Sequence, residues 1–307
     1  GRYFSREEKT MSEIKLFSVR DEVRQLTSST AGLEKELQNL IEQNMEIFFG
    51  IRFLKSEYAI TNGRMDSIGI DENNCPVIFE YKRSSNENVI NQGLFYLDWL
   101  LDHKADFKLL VIEKLGMEAA EQIDWSIPCV ICVANDFTKY DLHAVNQMQR
   151  NIKLVKYQKY DGDLILFEHL NAPAVKSITE TEDGAERKNC NEKTHLEKLE
   201  TAQESICAIY ESICDHIESL GDDIVPNQVK LYLAYKKVKN FVCIEIYSKE
   251  IHLFLKLNPD TVGLERGFTR DMRNIGHYGT GDLQITIKCA EDFEKAKPLI
   301  DRAYREA

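Results

Sequence analysis

Two short apolar runs on either side of a polar tetrad constrain this chain most. Residues 64–70 and 76–82 each have the length of a strand, and Asp71-Glu72-Asn73-Asn74 between them is turn chemistry. The runs are apolar around three charges. Met65, Ile68 and Ile70 surround Asp66, while Val77, Ile78 and Phe79 lead into Glu80 and Lys82. Alternate side chains of a strand share a face, so Glu80 and Lys82 point one way and Tyr81 the other. If Ile70 pairs with Pro76, Asp66 falls opposite Glu80 with Cβ atoms ~4.5–5.5 Å apart. A slip of one residue would place the two carboxylates on opposite faces, and the sequence leaves the register open.

Charged groups inside a buried strand pair are rare unless they are paired or metal-bound. Two adjacent carboxylates repel, and a divalent ion relieves that repulsion. Mg²⁺ takes one or two carboxylates and fills its shell with water and phosphate oxygens. An ion there stabilises charge on a phosphodiester transition state. Lys82 would then orient or deprotonate the attacking water. The same Asp-x13-Glu-x-Lys spacing fits a surface hairpin with a cross-strand salt bridge, and spacing alone leaves both readings open.

The neighbouring periodicity predicts the frame. Leu33, Leu37, Leu40, Ile41 and Phe48 form one stripe of a helix over 33–49, ended by Gly50. Ser84 and Glu87 make a capping box for a helix over 86–103, whose stripe is Ile90, Leu94, Leu97 and Leu101. Gln92, Tyr96 and Trp99 lie on its flank. Strands are predicted at 107–113, 127–133, 152–158 and 163–168, with helices at 116–122 and 138–149. Strands and helices alternating around a hairpin give an α/β domain with a mixed sheet.

Residues 171–195 have few large apolar side chains and many charges, which marks a linker. The chain therefore divides into a domain over 11–170, a polar linker, and a domain over 196–307. Residues 1–10, ahead of the first methionine at Met11, receive no functional weight. A length of 307 residues suits two domains of ~100–200 residues. In the second domain, Ile206, Ile209, Ile213, Ile217 and Leu220 predict one helix over 195–220. Strands at 229–235, 240–246, 251–257 and 283–288 and a helix at 291–305 follow, giving an α+β domain with a mostly antiparallel sheet.

No apolar run approaches the ~18–20 residues of a membrane span, and no secretory signal opens the chain. Eight scattered cysteines form neither a disulfide framework nor a ligand cluster, and Cys129-x-x-Cys132 sits within a strand-like run. A reducing cytoplasm fits this usage. The net charge of −12 argues against avid, non-specific binding of polyanions. Residues 230–273 are the exception, with 9 bases against 5 acids. Lys236, Lys237, Arg270 and Arg273 are the expected phosphate contacts there. The segment Thr269–Asp282 adds three glycines and His277. It reads either as a phosphate- or base-gripping loop or as a loop whose glycines serve turns.

The stretch Gly63-Arg64-Met65-Asp66-Ser67-Ile68-Gly69, then Val77-Ile78-Phe79-Glu80-Tyr81-Lys82-Arg83, then Gln92 and Tyr96, resembles the PD-(D/E)XK nuclease superfamily. It looks most like the NucS-type and restriction-endonuclease-like branch. The resemblance covers about residues 30–170. It implies a restriction-endonuclease-like core, with Asp66 and Glu80 as ligands of Mg²⁺ or Mn²⁺, Lys82 as the catalytic lysine, and Gln92 closing the site. By the same resemblance Glu34, with Glu36 as fallback, approaches the metal from the first helix. Arg64, Arg83 and Tyr96 are the expected nucleic-acid contacts beside it. Met65 departs from the motif, which has proline there. The implied activity is hydrolysis of DNA, ahead of RNA, in restriction or repair. The alternative is a silent nuclease-fold module that binds nucleic acid or protein, and a homodimer stays open. Residues 200–307 resemble a domain of unknown function sometimes labelled a predicted transport protein, a label that the missing membrane span contradicts.

Overall fold

A computed structural model describes residues 14–19, 22–29, 34–82, 89–148, 150–171 and 193–307. Two short strands, β1 (Phe17–Ser18) and β2 (Arg24–Gln25), pair as a ribbon, and β3 (Ser28–Ser29) joins the edge of the main sheet. Helix α1 (Glu34–Phe49) leads to β4 (Ile51–Ile60), β5 (Gly63–Asp71) and β6 (Pro76–Lys82), a meander of antiparallel neighbours. Helices α2 (Val89–Asp102), α3 (Lys104–Leu115) and α4 (Met117–Glu121) then cross to β7 (Cys129–Ala134), which lies parallel to β6. Helix α5 (Lys139–Gln147) leads to β8 (Asn151–Tyr160), parallel to β7, and β9 (Leu164–His169) turns back along β8. The result is a mixed seven-stranded sheet in the order β3-β8-β7-β6-β5-β4, with β9 on β8.

The sheet is buried on both faces, and its sequence shows it. Val77, Phe79, Tyr81, Ile131 and Val133 face α1, against Leu37, Ile41 and Met45. Ile78, Val130 and Cys132 face α2 and α3, against Leu97, Leu100 and Val111. Strands covered on both sides read as near-continuous apolar runs, which is the pattern of β6 and β7.

The C-terminal domain is α+β. After α6 (His195–Glu200) and α7 (Glu204–Glu218) come β10 (Val225–Gln228), β11 (Leu233–Lys236), β12 (Asn240–Ile246), β13 (Ile251–Leu255), β14 (Thr269–Asp271) and β15 (Leu283–Ile287), closed by α8 (Ala290–Glu306). The six strands are all antiparallel, in the order β10-β11-β12-β13-β15-β14. One face packs on α7 and α8 through Tyr235, Val242, Ile244, Ile213 and Ile300. The other face turns Tyr232, Ala234, Cys243 and Phe254 towards Cys75 and Ile127 of the N-terminal domain.

The β5–β6 turn anchors this seam. Asn73 Oδ1 accepts from Tyr232 Oη at 3.1 Å and from Asn240 Nδ2 at 2.7 Å, while the Asn240 amide donates to Glu72 Oε2 at 2.6 Å. Lys239 pairs with Glu46 at 2.8 Å. Gly50, which follows α1, has φ of +67°, and a Cβ there would sit 2.6 Å from the Val238 carbonyl oxygen. We expect Gly50→Ala to destabilise the protein by about 1–3 kcal/mol, from the left-handed conformation plus the displaced seam. A lowered urea midpoint would show it, and an unchanged midpoint would mean that the seam gives way freely.

Some expectations need correction. The strand expected over 229–235 is the turn and second arm of a hairpin, because Val225–Gln228 and Leu233–Lys236 are separate antiparallel strands. Residues 107–113 are not a strand but the body of α3, because Phe107, Leu110 and Val111 bury at helical spacing while Leu109 is exposed. The helix expected over 195–220 is two, broken at Thr201–Gln203, where the Gln203 amide donates to the Ser248 carbonyl. Strand β4 adds to the expected elements: its bulge at Phe53–Lys55 and the positive φ of Glu57 break the alternation that would signal it.

Candidate functional site

Strand β6 closes the hairpin and opens the parallel part of the sheet, so its C-terminal end lies where open α/β sheets hold ligands. The register runs from Ile70↔Pro76 to Ser67↔Phe79. At the next position the Asp66 amide donates to Glu80 Oε1 at 3.2 Å, and the Tyr81 amide donates to Asp66 Oδ2 at 2.9 Å. Each carboxylate is thus tied to the other strand's backbone, and the two lie side by side. Glu80 is 1% exposed. Lys82, half-buried two residues on, stands 3.9 Å from Glu34 Oε1 at the start of α1.

Burial governs the electrostatics. It pushes the Glu80 carboxyl up to about 9, with the Asp66 charge adding to the rise and Lys82 opposing it. Asp66 is also raised, again by burial first, against the Tyr81 amide and Lys82. The pair therefore holds a proton at neutral pH, a consequence of crowding two acids in a desolvated pocket.

Helix α1 is stapled to this pair by Gln38, which is buried among the helix's apolar residues. Its Nε2 donates to the Asp66 carbonyl at 2.8 Å and to Glu42 Oε1 at 2.9 Å. Ser67 Oγ donates to the same Glu42 oxygen at 2.6 Å. On the outside, Glu57 bridges Lys35 at 2.6 Å and Arg64 at 3.0 Å. Gln38 and Glu42 add to the residues that sequence reasoning places here, and a glutamine beside Leu37 and near Ile41 on a buried stripe is the signal that could have found them.

The donor set offers only oxygen, which suits Mg²⁺ or Mn²⁺ better than a soft metal. Two carboxylates are enough for an ion that keeps its remaining shell for water and phosphate. Among the described residues no group of three His, Cys, Asp or Glu side chains gathers as a ligand cluster. Glu34 instead lies beside Lys82.

The other sequence-derived contacts divide. Arg64 is exposed beside the β4–β5 turn and paired with Glu57. Arg83 and the Ser84–Glu87 capping box lie outside the described residues. Gln92 is exposed on the first turn of α2, and Arg270 is exposed on β14. Tyr96 is not a surface contact: it is buried against Gly63, with its hydroxyl 3.4 Å from the Arg64 amide. Lys236 does not lie on an open face but in the seam between domains, beside Asp71 and Lys153. Lys237 pairs with Asp223 at 3.6 Å and stacks on Tyr304. Arg273 is clamped by Asp260 and Asp271 at 2.8 and 2.6 Å. Lys237 and Arg273 are spent on carboxylates within the fold, and Lys236 is buried in the seam. Among the described residues no helix is long and apolar enough to cross a membrane.

The mixed sheet, its covering helices and the acid pair beside a lysine define a PD-(D/E)XK-like nuclease domain, followed by a second, separately folded α+β domain. Residues 33–123 match the family described as the endonuclease NucS C-terminal domain, and residues 196–307 match a domain of unknown function, DUF5655. The chain belongs to the family of an uncharacterized protein of Haemophilus influenzae, to which it is 32% identical over 306 residues, spanning 95% of this chain and 100% of the relative. Among solved structures, an EndoMS–dsDNA2 complex and a repair endonuclease from Pyrococcus abyssi are each 16% identical with a TM-score of 0.28. They cover 51% and 50% of this chain and 71% of their own.

Proposed function

We propose that the N-terminal domain is a divalent-metal-dependent nuclease that hydrolyses phosphodiester bonds in DNA, in a restriction or repair setting. The observation that carries this reading is the adjacency of Asp66 and Glu80 in a desolvated pocket with Lys82 on the Glu80 face of the strand. Burying two acids together costs several kcal/mol of lost hydration, so a fold that keeps them there without use is penalised. Mg²⁺ or Mn²⁺ held by the two carboxylates would supply charge stabilisation to the phosphoryl oxygens. Lys82 orients the attacking water and handles its proton, Glu34 holds the lysine, and Gln38 fixes the Asp66 backbone. Arg64 and Arg270 are the sequence-derived bases that remain exposed for phosphate contact among the described residues.

A second reading is a nuclease-fold module that binds nucleic acid or protein without cutting. One observation favours it: among the described residues the acid pair has no third ligand, and Glu34 faces Lys82. The family matches are compatible with this module as they are with an enzyme. Purified protein incubated with labelled duplex and single-stranded DNA, with and without Mg²⁺ or Mn²⁺, separates the readings. Cleavage that needs the ion and stops with chelator supports the nuclease. Binding without cleavage in either metal supports the silent module.

A further inference from the structure

Strand β4 departs from strand geometry at one residue. Glu57 has φ of +50°, in the left-handed region that a side chain with a Cβ seldom adopts. It lies between the pairs Ser56↔Ser67 and Tyr58↔Met65, so it stands opposite Asp66 on the neighbouring strand. Backbone strain of this kind clusters at ligand clamps and switch regions.

The Glu57 carboxylate is shared between two bases, one to each oxygen. Lys35 Nζ of α1 lies 2.6 Å from Oε1, and Arg64 Nη1 of β5 lies 3.0 Å from Oε2. The hydrogen bond from Lys35, then the Lys35 and Arg64 charges, hold the Glu57 carboxyl below the usual carboxylate range. Lys35 Nζ also donates to Gln38 Oε1 at 3.2 Å, and Gln38 Nε2 donates to the Asp66 carbonyl at 2.8 Å. Asp66, raised first by burial, also feels the charges of Arg64 and Glu57. The two bases therefore stand at the rim of the acid pair. The side chains of Lys35, Arg64 and Glu57 are 51%, 59% and 38% exposed, so a large ligand reaches them without any opening of the fold.

A phosphodiester offers what this carboxylate offers: one negative charge spread over two free oxygens. We propose that Lys35 and Arg64 form a seat for one backbone phosphate of the strand that reaches the acid pair, and that Glu57 occupies this seat when no nucleic acid is bound. The assignment rests on the reading that nucleic acid enters at Asp66 and Glu80. Lysine and arginine both make charge-assisted hydrogen bonds to phosphate oxygens, so the incoming group replaces the carboxylate in kind. The phosphate displaces Glu57 into water, a small cost for an exposed carboxylate. Glu57 is thus a competitor built into the chain: it holds two bases in place beside the pair and weakens the grip on nucleic acid.

The test uses the full chain and fluorescence anisotropy of labelled duplex and single-stranded DNA, in chelator and again with Ca²⁺. Glu57→Gln should bind about three- to tenfold more tightly than wild type, the worth of two exposed ion pairs released to the ligand. Glu57→Gly adopts a φ of +50° freely and should show the same gain, which separates the charge from the backbone. Glu306→Gln removes the same charge from the other domain, where Glu306 pairs with Arg302 at 2.6 Å, and should change affinity by less than about twofold. In protein that carries both Lys35→Gln and Arg64→Gln, Glu57→Gln should bring no further gain, because the acid then has no base to block. A gain no larger than that of Glu306→Gln, or one that survives the loss of both bases, overturns the seat and leaves nucleic-acid binding at the acid pair standing. No DNA binding by wild type or any variant overturns both.

Discussion

Replacing Lys82 with alanine is expected to lower metal-dependent DNA cleavage by about 10²–10⁴-fold, the usual contribution of a positioned proton-handling group. The fold should survive, because Lys82 is not part of either core cluster of the sheet and its ion pair with Glu34 is a loose one at 3.9 Å. Lysine also supplies positive charge beside the acid pair, drawing both carboxyls downward. Lys82→Arg therefore separates two roles. Arginine keeps the charge but cannot give up its proton. If proton transfer is the role of Lys82, the arginine variant should be nearly as inactive as the alanine variant while binding DNA normally. If only charge matters, the arginine variant should keep most activity. Equal cleavage by wild type and Lys82→Ala would place the chemistry elsewhere or in a contaminant.

Part of the geometry behind that prediction is legible in the sequence for a local reason. Strand alternation puts Glu80 and Lys82 on one face, while the register that sets Asp66 beside Glu80, open in the sequence, is fixed in the fold by the Asp71–Asn74 turn. Alternation is a short-range rule. Contacts between distant segments leave no such trace. The same turn also anchors the second domain through Glu72 and Asn73, which nothing in its composition announces. The bases of 230–273 form a cluster in sequence, yet Asp223, Asp260 and Asp271 absorb Lys237 and Arg273, and the seam takes Lys236. Residues 107–113 carry a strand-like apolar run, and the decision for helix rests on which three of those side chains meet the sheet.

Glu80→Gln should change how stability depends on pH as much as it changes metal binding. In wild-type protein without divalent ions, the folded carboxyl titrates at about 9 against an ordinary value of 4.5. Between those values the folded state keeps a proton that the unfolded chain has released. Stability from this group is therefore complete below the lower value, falls as pH rises through the window, and is lost above the upper one. The limiting slope is about 1.4 kcal/mol per pH unit. Glutamine has no proton to lose, so the variant should show a flatter profile and exceed the wild type in stability at alkaline pH. Urea midpoints across the window, in chelator, measure this directly. Calorimetry with Mn²⁺ supplies the other half: removing one of two anionic oxygen ligands should weaken binding at least about tenfold. A variant that is more stable and binds Mn²⁺ poorly assigns the cost of the buried acid to the metal site. A variant that binds Mn²⁺ as well as wild type would remove Glu80 from that site and leave the pair as a feature of the fold.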